Sequence, residues 1–177
     1  MNDFFELFER RQSCRNFADT SVEHEKLVKC IEAGHLAPSA CNSQPWSFVV
    51  VETTEVVAEV AKCGQQMGMN PFLSKAKAFI IVLEEYAALN TSVSSLIDNQ
   101  YFAKGDLGAV TLQICLGAET QGVGSCIIGI YNRVKLRELL NIPNGKQVGA
   151  LIAIGYPADD KVRAKTRKPL SETTRFV

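Results

Sequence analysis

The stretch DLGAVTLQICLGAETQG, residues 106–122, sets the layout of the fold. It predicts a long helix that begins at Asp106 and ends at Gly122. Because its apolar residues cover more than one face of that helix, we expect the helix to be central and buried. The segments on either side of it alternate between strand and helix patterns.

Four apolar runs predict buried strands, at residues 46–52, 78–83, 126–130 and 148–154. Helical patterns lie between and before them, at residues 2–10, from a cap at Thr20 or Ser21 to about Leu36, at 55–62 with Gly64 as its end, and at 135–140. Residues 85–101 carry no clear pattern. Strands separated by helices predict a layered α/β or α+β protein with a small sheet.

Length and composition favour one soluble globular domain. The chain has 177 residues, of which 46% are hydrophobic and 21% are charged. No apolar run reaches the roughly 18 residues of a membrane-spanning helix, and the start MNDFFELFERR lacks the apolar core of a secretory signal. We therefore expect a cytoplasmic protein without a membrane contact. The net charge of zero argues against a nucleic-acid partner.

Six cysteines are present, without a CxxC motif or zinc-ligand spacing. We interpret them as reduced thiols that are mostly buried, and we expect no metal site. No histidine stands near a cysteine as an obvious base, so no catalytic cysteine is nominated. His24 and His35 are interpreted as surface residues.

Two basic clusters lie at opposite ends of the chain, RRQSCR at 10–15 and KTRK at 165–168. The alternation of Arg11, Ser13 and Arg15 is typical of an extended segment, which would place the three side chains on one side. Two guanidinium groups and a hydroxyl suit a phosphate. The alternative is a solvated basic loop that complements the C-terminal end of the preceding helix.

Two further segments suit a planar ligand. Asn42 and Gln44 carry amides that can bind the edge of a heterocycle, and Pro45 restricts Gln44 to an extended backbone. A polar turn between helix and strand is the alternative. In GVGSCIIG, 122–129, the glycines follow a helix and precede a strand, which is the wrong order for a dinucleotide-binding loop. Backbone N–H groups at Ile128 and Gly129 could approach a ligand closely; a helix end with a tight turn is the alternative.

Taken together, these segments resemble the nitroreductase family. The matching segments are RRQSCRNF (10–17), APSACNSQPWSFVVV (37–51), the helix and strand ending in GVGSCIIG (122–129), IAIGYP (152–157) and KTRKPLSE (165–172). The resemblance implies an α+β fold with a small mixed or antiparallel sheet flanked by helices. It also implies an intertwined homodimer that holds FMN at its interface, in which the whole chain, 1–177, is one domain with a C-terminal arm at about 157–177.

The resemblance assigns cofactor-binding roles to Arg10, Arg11, Gln12, Ser13, Arg15, Pro38, Ser39, Asn42, Gln44, Ile128, Gly129, Lys165 and Arg167. The first five and the last two belong to the phosphate and ribityl end. The segment from Pro38 to Asn42 approaches the isoalloxazine ring, often that of the partner subunit. Backbone N–H groups at Ile128 and Gly129 face flavin N5. No side chain is assigned a catalytic role.

The function implied is transfer of hydride from NADH or NADPH through FMN to a small-molecule acceptor, such as a nitroaromatic or a quinone. Two alternatives stay open. One is another reductive role on the same fold, either dehalogenation or flavin conversion. The second is a flavin-binding module without turnover. Because the two basic clusters lie about 150 residues apart, they can share one phosphate only if the C-terminal arm returns to the start of the chain.

Overall fold

A four-stranded antiparallel sheet forms the centre of the protein, with its strands in the order β1–β2–β4–β3. The strands are β1 (Trp46–Val51), β2 (Ala78–Glu84), β3 (Gly124–Ile128) and β4 (Gln147–Gly155). The computed structural model describes residues 4–177, apart from the side chain of Met67. All four predicted strands are confirmed, each to within two residues at either end, and the sheet is of the antiparallel kind.

Helices cover both faces of this sheet. They are α1 (Phe4–Arg10), α2 (His24–His35), α3 (Thr54–Gly64), α4 (Thr91–Ser94), α5 (Ala103–Glu119), α6 (Arg133–Leu139) and α7 (Leu170–Thr173). One core lies between the sheet and the pair α2 and α5, and a second lies between the sheet and the pair α3 and α6. The structure is therefore α+β, with the sheet as the middle of three layers.

Burial on both faces explains why β2 is an unbroken apolar run. Phe79 and Ile81 belong to the core under α3 and α6, whereas Ile80 and Val82 belong to the core under α2 and α5. A strand covered on only one face would alternate with polar residues instead. The central strands β2 and β4 therefore carry most of the apolar signal in the sequence.

The first strand departs from the prediction of a buried strand. It pairs only with β2 and forms one edge of the sheet, and Val50 is 37% exposed. Trp46 and Val51 at its two ends are buried. The apolar run at 46–52 predicted the strand correctly but not its position at the edge.

The boundaries of α2 and α3 also differ from the prediction. α2 begins at His24, after Glu23 as the capping residue, so the predicted cap at Thr20 or Ser21 is wrong. No side chain caps this helix through a hydrogen bond. Gly64 is the last residue of α3 and is buried, so it packs inside the structure rather than following the helix.

The long helix α5 begins at Ala103 and ends at Glu119, about three residues before the predicted bounds at both ends. One of its faces is buried, with Leu107, Val110 and Ile114 in the core. Leu112 on the opposite face is 48% exposed, so the expectation of burial all round is wrong for the single chain.

The N-terminal helix is confirmed as α1 from Phe4; predicted residues 2 and 3 lie outside the described residues. The segment without a clear pattern contains the short helix α4, which Asn90 caps by accepting a hydrogen bond from the Val93 N–H at 3.0 Å. Over the described residues, none of the helices has the length and hydropathy needed to cross a membrane.

Candidate functional site

The first basic cluster continues as an extended segment that lies along the outer edge of β3. The Cys14 N–H donates to the Ser125 carbonyl at 2.8 Å, and Ser13 and Ser125 form a parallel bridge. Extended backbone directs alternate side chains to the same side. The predicted alternation of Arg11, Ser13 and Arg15 therefore has a structural basis in this pairing.

The C-terminal arm returns to this segment and runs antiparallel to it. Its first contacts are two backbone hydrogen bonds, from the Ala18 N–H to the Tyr156 carbonyl at 2.8 Å and from the Ala158 N–H to the Asn16 carbonyl at 3.0 Å. Further along, the Gln12 side chain binds the backbone of Lys161. The arm of this chain thus reaches the start of the same chain.

The two ends of the chain form a basic pocket of about 240 Å³. Its lining residues come from residues 11–15 and 163–167, and they are Arg11, Gln12, Ser13, Arg15, Arg163, Ala164, Lys165, Thr166 and Arg167. The Lys165 ammonium donates to the Glu9 carbonyl, and Arg167 Nη1 donates to the Thr166 carbonyl at 2.8 Å. Six of the seven residues predicted for the phosphate end therefore lie together.

Five cations of this basic pocket have no carboxylate partner within the part of the chain that the structure describes. Among residues 4–177, every ion pair is formed by other residues than Arg11, Arg15, Arg163, Lys165 and Arg167. Repulsion among five cations in so small a volume is unfavourable unless an anion compensates it. Guanidinium forks, an ammonium group and the Ser13 hydroxyl form a donor set that matches the oxygens of a phosphate. The donor set thus fits a phosphorylated ligand.

Arg10 is the exception among the residues predicted for this end. Its Nε lies 3.3 Å from a carboxylate oxygen of Glu119 on α5, and its side chain lines a neighbouring pocket instead. The ion pair directs Arg10 away from the other cations. Arg10 therefore lies apart from the other six residues that were predicted for the phosphate end.

The outer edge of β3 is open beyond the point where the N-terminal segment pairs with it. Within the described residues, β3 pairs with β4 on one side, and on the other side it is bridged only at Ser125. Because the Ser125 carbonyl points to that outer side, alternation directs the backbone groups of Ile127 outward as well. Gly129 follows two residues later and is exposed. Ile128 is instead paired with Leu151.

The loop with the predicted amides is held by its own side chains. The Gln44 N–H donates to Ser39 Oγ at 2.9 Å, and Gln44 Nε2 donates to the Asn42 carbonyl at 3.0 Å. Cys41, Asn42 and Gln44 all have positive φ angles between 47° and 51°, so the extended backbone predicted for Gln44 before Pro45 is wrong. Such backbone is costly for residues with a β-carbon, so these contacts compensate strain.

An anchor on α5 fixes the position of this loop. The Ala40 N–H donates to both carboxylate oxygens of Asp106, at 3.3 Å each. Pro38 and Asn42 are exposed, whereas Ser39 and Gln44 are partly buried. None of these four residues lines the basic pocket. The structure therefore does not bring them together with the phosphate-end residues of the same chain.

The cysteines agree with their interpretation as buried thiols. All six are free, and only Cys41 is exposed. Burial raises the pKa of Cys14 and of Cys126, so both thiols beside the basic segment are held neutral. His24 and His35 are exposed, and His24 Nδ1 lies 3.0 Å from a carboxylate oxygen of Glu52, whose hydrogen bond raises the pKa of that histidine. Over the described residues, no cluster of side chains has the composition of a metal site.

Arg163 is the residue that the sequence prediction missed. It lines the basic pocket and binds the N-terminal segment. A signal for it is present, since Lys161, Arg163, Lys165 and Arg167 alternate along the arm as Arg11, Ser13 and Arg15 do at the start. The same extended-chain argument would have placed Arg163 on the side of Lys165 and Arg167.

Comparison with known proteins identifies the family. A model described as the nitroreductase family matches residues 8–67 and 56–156. The chain belongs to the nitroreductase family. An Archaeoglobus fulgidus protein named for NADH dehydrogenase or NAD(P)H nitroreductase activity is 32% identical over 165 residues, which cover 91% of this chain and 89% of that protein.

Solved structures of the nitroreductase family have the same fold. A nitroreductase family protein from Streptococcus pneumoniae superposes with a TM-score of 0.84 at 26% identity, covering 99% of this chain and 100% of that one. An FMN-dependent nitroreductase from Clostridium difficile gives a TM-score of 0.77 at 26% identity, covering 97% and 98%. The α+β nitroreductase fold that the sequence resemblance implied is confirmed.

Proposed function

We propose that this protein is an FMN-dependent oxidoreductase that takes hydride from NADH or NADPH and delivers electrons to a small-molecule acceptor, such as a nitroaromatic or a quinone. The observation that carries the proposal is the basic pocket beside the open edge of β3, where five cations meet without a carboxylate partner among the described residues. An FMN-dependent nitroreductase among the structural relatives supports the choice of cofactor.

The phosphate end of FMN is assigned to this basic pocket. Arg11 and Arg15 offer guanidinium forks, Lys165 and Arg167 add charge from the arm, and Ser13 adds a hydroxyl. A phosphomonoester carries between one and two negative charges at neutral pH, so it compensates part of the repulsion among the cations. Riboflavin, which lacks the phosphate, would leave that repulsion in place.

The ring end is assigned to the open edge of β3. When bound, FMN accepts hydride at its N5 atom and later returns the electrons to an acceptor. The chain supplies a backbone N–H at Gly129, which directly follows the end of β3, is exposed, and has no side chain to obstruct the approach. A fixed backbone donor at that position stabilises charge that develops near N5. Ile128, whose backbone is paired with Leu151, supports the strand rather than the ring.

The loop 38–44 is assigned to the flavin of a second copy, in a homodimer. In one chain, Pro38, Ser39, Asn42 and Gln44 do not line the basic pocket. The family resemblance places Pro38, Ser39 and Asn42 at the isoalloxazine ring, often that of the partner subunit, and the amide of Gln44 suits the same ring. Exposed apolar side chains support a partner surface: Phe4 and Phe5 of α1 and Leu112 of α5 are 76%, 72% and 48% exposed. The proposed unit is one domain per chain, with an arm from about residue 157. Free cysteines favour a cytoplasmic setting.

The test is optical. Purified protein supplied with FMN should be yellow, should lose its flavin absorbance with NADH or NADPH under nitrogen, and should regain it when a quinone or nitroaromatic is added. A protein that binds no FMN contradicts the proposal. A protein that binds FMN but never bleaches with either nucleotide is a binding module instead. Rates with both nucleotides and with a panel of acceptors then identify the substrates.

A further inference from the structure

The Gln12 carboxamide is bound by the C-terminal arm through both its oxygen and its nitrogen. Its Nε2 donates to the Lys161 carbonyl at 2.7 Å, and its Oε1 accepts from the N–H of Arg163 at 3.2 Å and from Nε of Arg163 at 3.0 Å. The Gln12 side chain therefore binds two backbone groups of the arm, the Lys161 carbonyl and the Arg163 N–H. These bonds use both lone pairs of the oxygen and one of the two N–H donors, so Gln12 keeps a single N–H for a ligand.

The Arg163 guanidinium lies along the line of contact between residues 12–14 and the C-terminal arm, which we call the seam. Besides the Nε contact to Gln12, its Nη2 donates to the Ser13 carbonyl. These bonds turn the carbonyl of Ser13 toward the arm. Arg163 contributes positive charge to the basic pocket, but two arms of its fork are spent on protein acceptors.

Residues 12–14 are thus held along both edges. The Cys14 N–H fixes one edge to Ser125 of β3, and the contacts of Gln12 and Arg163 fix the other edge to the arm. Beyond this seam, the arm is mostly exposed and contains only the short helix α7. A mobile arm would have to lose conformational freedom each time a ligand bound to Lys165 and Arg167.

We propose that Gln12 and Arg163 are positioning residues, which fix the spacing between the cations of the two chain ends so that one phosphate group contacts both. The inference rests on the proposed function, because it concerns the phosphate end of the same flavin site. It changes the role of Gln12 from ligand contact to positioning, and it adds Arg163. The phosphate-dependent part of the affinity is then set by preorganisation as well as by charge.

The experiment compares FMN with riboflavin on the flavin-free full-length protein, using quenching of flavin fluorescence. Arg163→Lys keeps the positive charge but loses the fork, and Gln12→Ala removes the acceptor while leaving every cation in place. Because neither variant removes a charge, both should lose about tenfold or more of FMN affinity through the broken contacts, with riboflavin affinity changed less than about twofold. Lys161→Gln is the matched control, because Lys161 contributes only its backbone to the seam. It removes one charge nearby and should keep the preference for FMN.

A second measurement follows the arm without flavin. Trypsin should cleave at Lys165 and Arg167 faster in Arg163→Lys and Gln12→Ala than in the unmodified protein. Unchanged FMN preference in both variants would overturn the inference. An equal loss in Lys161→Gln would also overturn it, because the loss would then not depend on the contacts between Gln12 and Arg163. If the unmodified protein does not prefer FMN to riboflavin, the proposed phosphate site itself fails, a result that the first titration separates from the others.

Discussion

Gly34 of α2 and Ile114 of α5 are in direct contact across the pair of helices. A β-carbon built on Gly34 would lie 2.6 Å from Cγ1 of Ile114, closer than real side chains pack. The contact is reciprocated on α5, where a β-carbon on Gly117 would lie 2.6 Å from that of Ala33. The two helices therefore approach closely because each presents a glycine to the other.

Replacing Gly34 with Ala should destabilise the protein. The added methyl group forces Ile114 or the helix to move, and overpacking of this kind costs about 1–3 kcal/mol. Thermal unfolding at a fixed protein concentration measures the loss. Gly105→Ala is the matched control: it lies in α5, and no described atom comes within 4 Å of its β-carbon position. It should be neutral or stabilising by up to about 1 kcal/mol. Equal effects of the two substitutions would contradict the packing argument.

Asp106 should hold the loop 38–44 in place. Its carboxylate accepts the Ala40 N–H, so Asp106→Ala leaves that donor without its partner and should cost about 1 kcal/mol. Hydrogen exchange at the Ala40 amide should accelerate in the same variant. Asp106→Asn keeps an acceptor oxygen and should retain most of the protection. Fast exchange in Asp106→Asn as well would show that the charge, rather than the hydrogen bond, is what matters.

The strands could be predicted from sequence because their signal is local. Each residue of β2 from Ala78 to Leu83 faces one of two cores, so apolar side chains fill that run. The position of β1 at the edge could not be read in this way. An edge strand pairs with one neighbour and a central strand pairs with two. Which strands become neighbours depends on segments that are far away in the chain. The start of α2 was mispredicted for a related reason, since Thr20 and Ser21 are good caps that the structure does not use.

The candidate site was predictable in its residue types and only partly in its assembly. Arg11, Ser13 and Arg15 were grouped correctly because extended chain imposes their alternation. Arg10 was grouped wrongly with them, since its pairing with Glu119 depends on where α1 meets α5. The contact between Gln12 and Arg163 spans about 150 residues, and no local pattern joins the two.

Arg11→Ala and Arg167→Ala should weaken FMN binding much more than riboflavin binding. Each removes a cation that the proposal places on the phosphate, and a charged hydrogen bond of this kind contributes about 1.5–3 kcal/mol. The measurement is the dissociation constant of riboflavin divided by that of FMN, which should fall in both variants. This ratio cancels effects on the part of the site that binds both ligands. Arg10→Ala is the control, since Arg10 pairs with Glu119 outside the basic pocket. A ratio that falls equally in Arg10→Ala would contradict the assignment.

Cys30 should make stability fall at high pH. Burial raises the pKa of its thiol from 9.0 to about 11 in the folded chain, with the neighbouring Cys115 adding to the shift. The folded state thus resists ionisation, and its advantage is complete below pH 9 and declines as the pH rises between 9 and 11. At pH 10, between these two pKa values, the loss is on the order of 1 kcal/mol.

The comparison for this prediction is Cys30→Ala, which lacks the thiol but keeps every other titrating group. The free energies of unfolding of the two proteins, measured in urea at pH 8 and pH 10, should differ by roughly 1 kcal/mol less at pH 10 than at pH 8. A difference that does not change with pH would show that the Cys30 thiol ionises equally easily in both states.

Deleting residues 161–177 should abolish the preference for FMN and weaken the proposed dimer. The deletion removes Lys165 and Arg167 from the basic pocket, together with the Arg163 contacts that hold the N-terminal segment. Flavin content after purification and sedimentation velocity measure the two effects. Deleting only 170–177 is the control, because it removes α7 and the exposed end while keeping the cations. This shorter deletion should stay yellow. If the longer deletion also remains a yellow dimer, the arm neither holds the cofactor nor joins the subunits, and the basic residues at 10–15 must bind the phosphate alone.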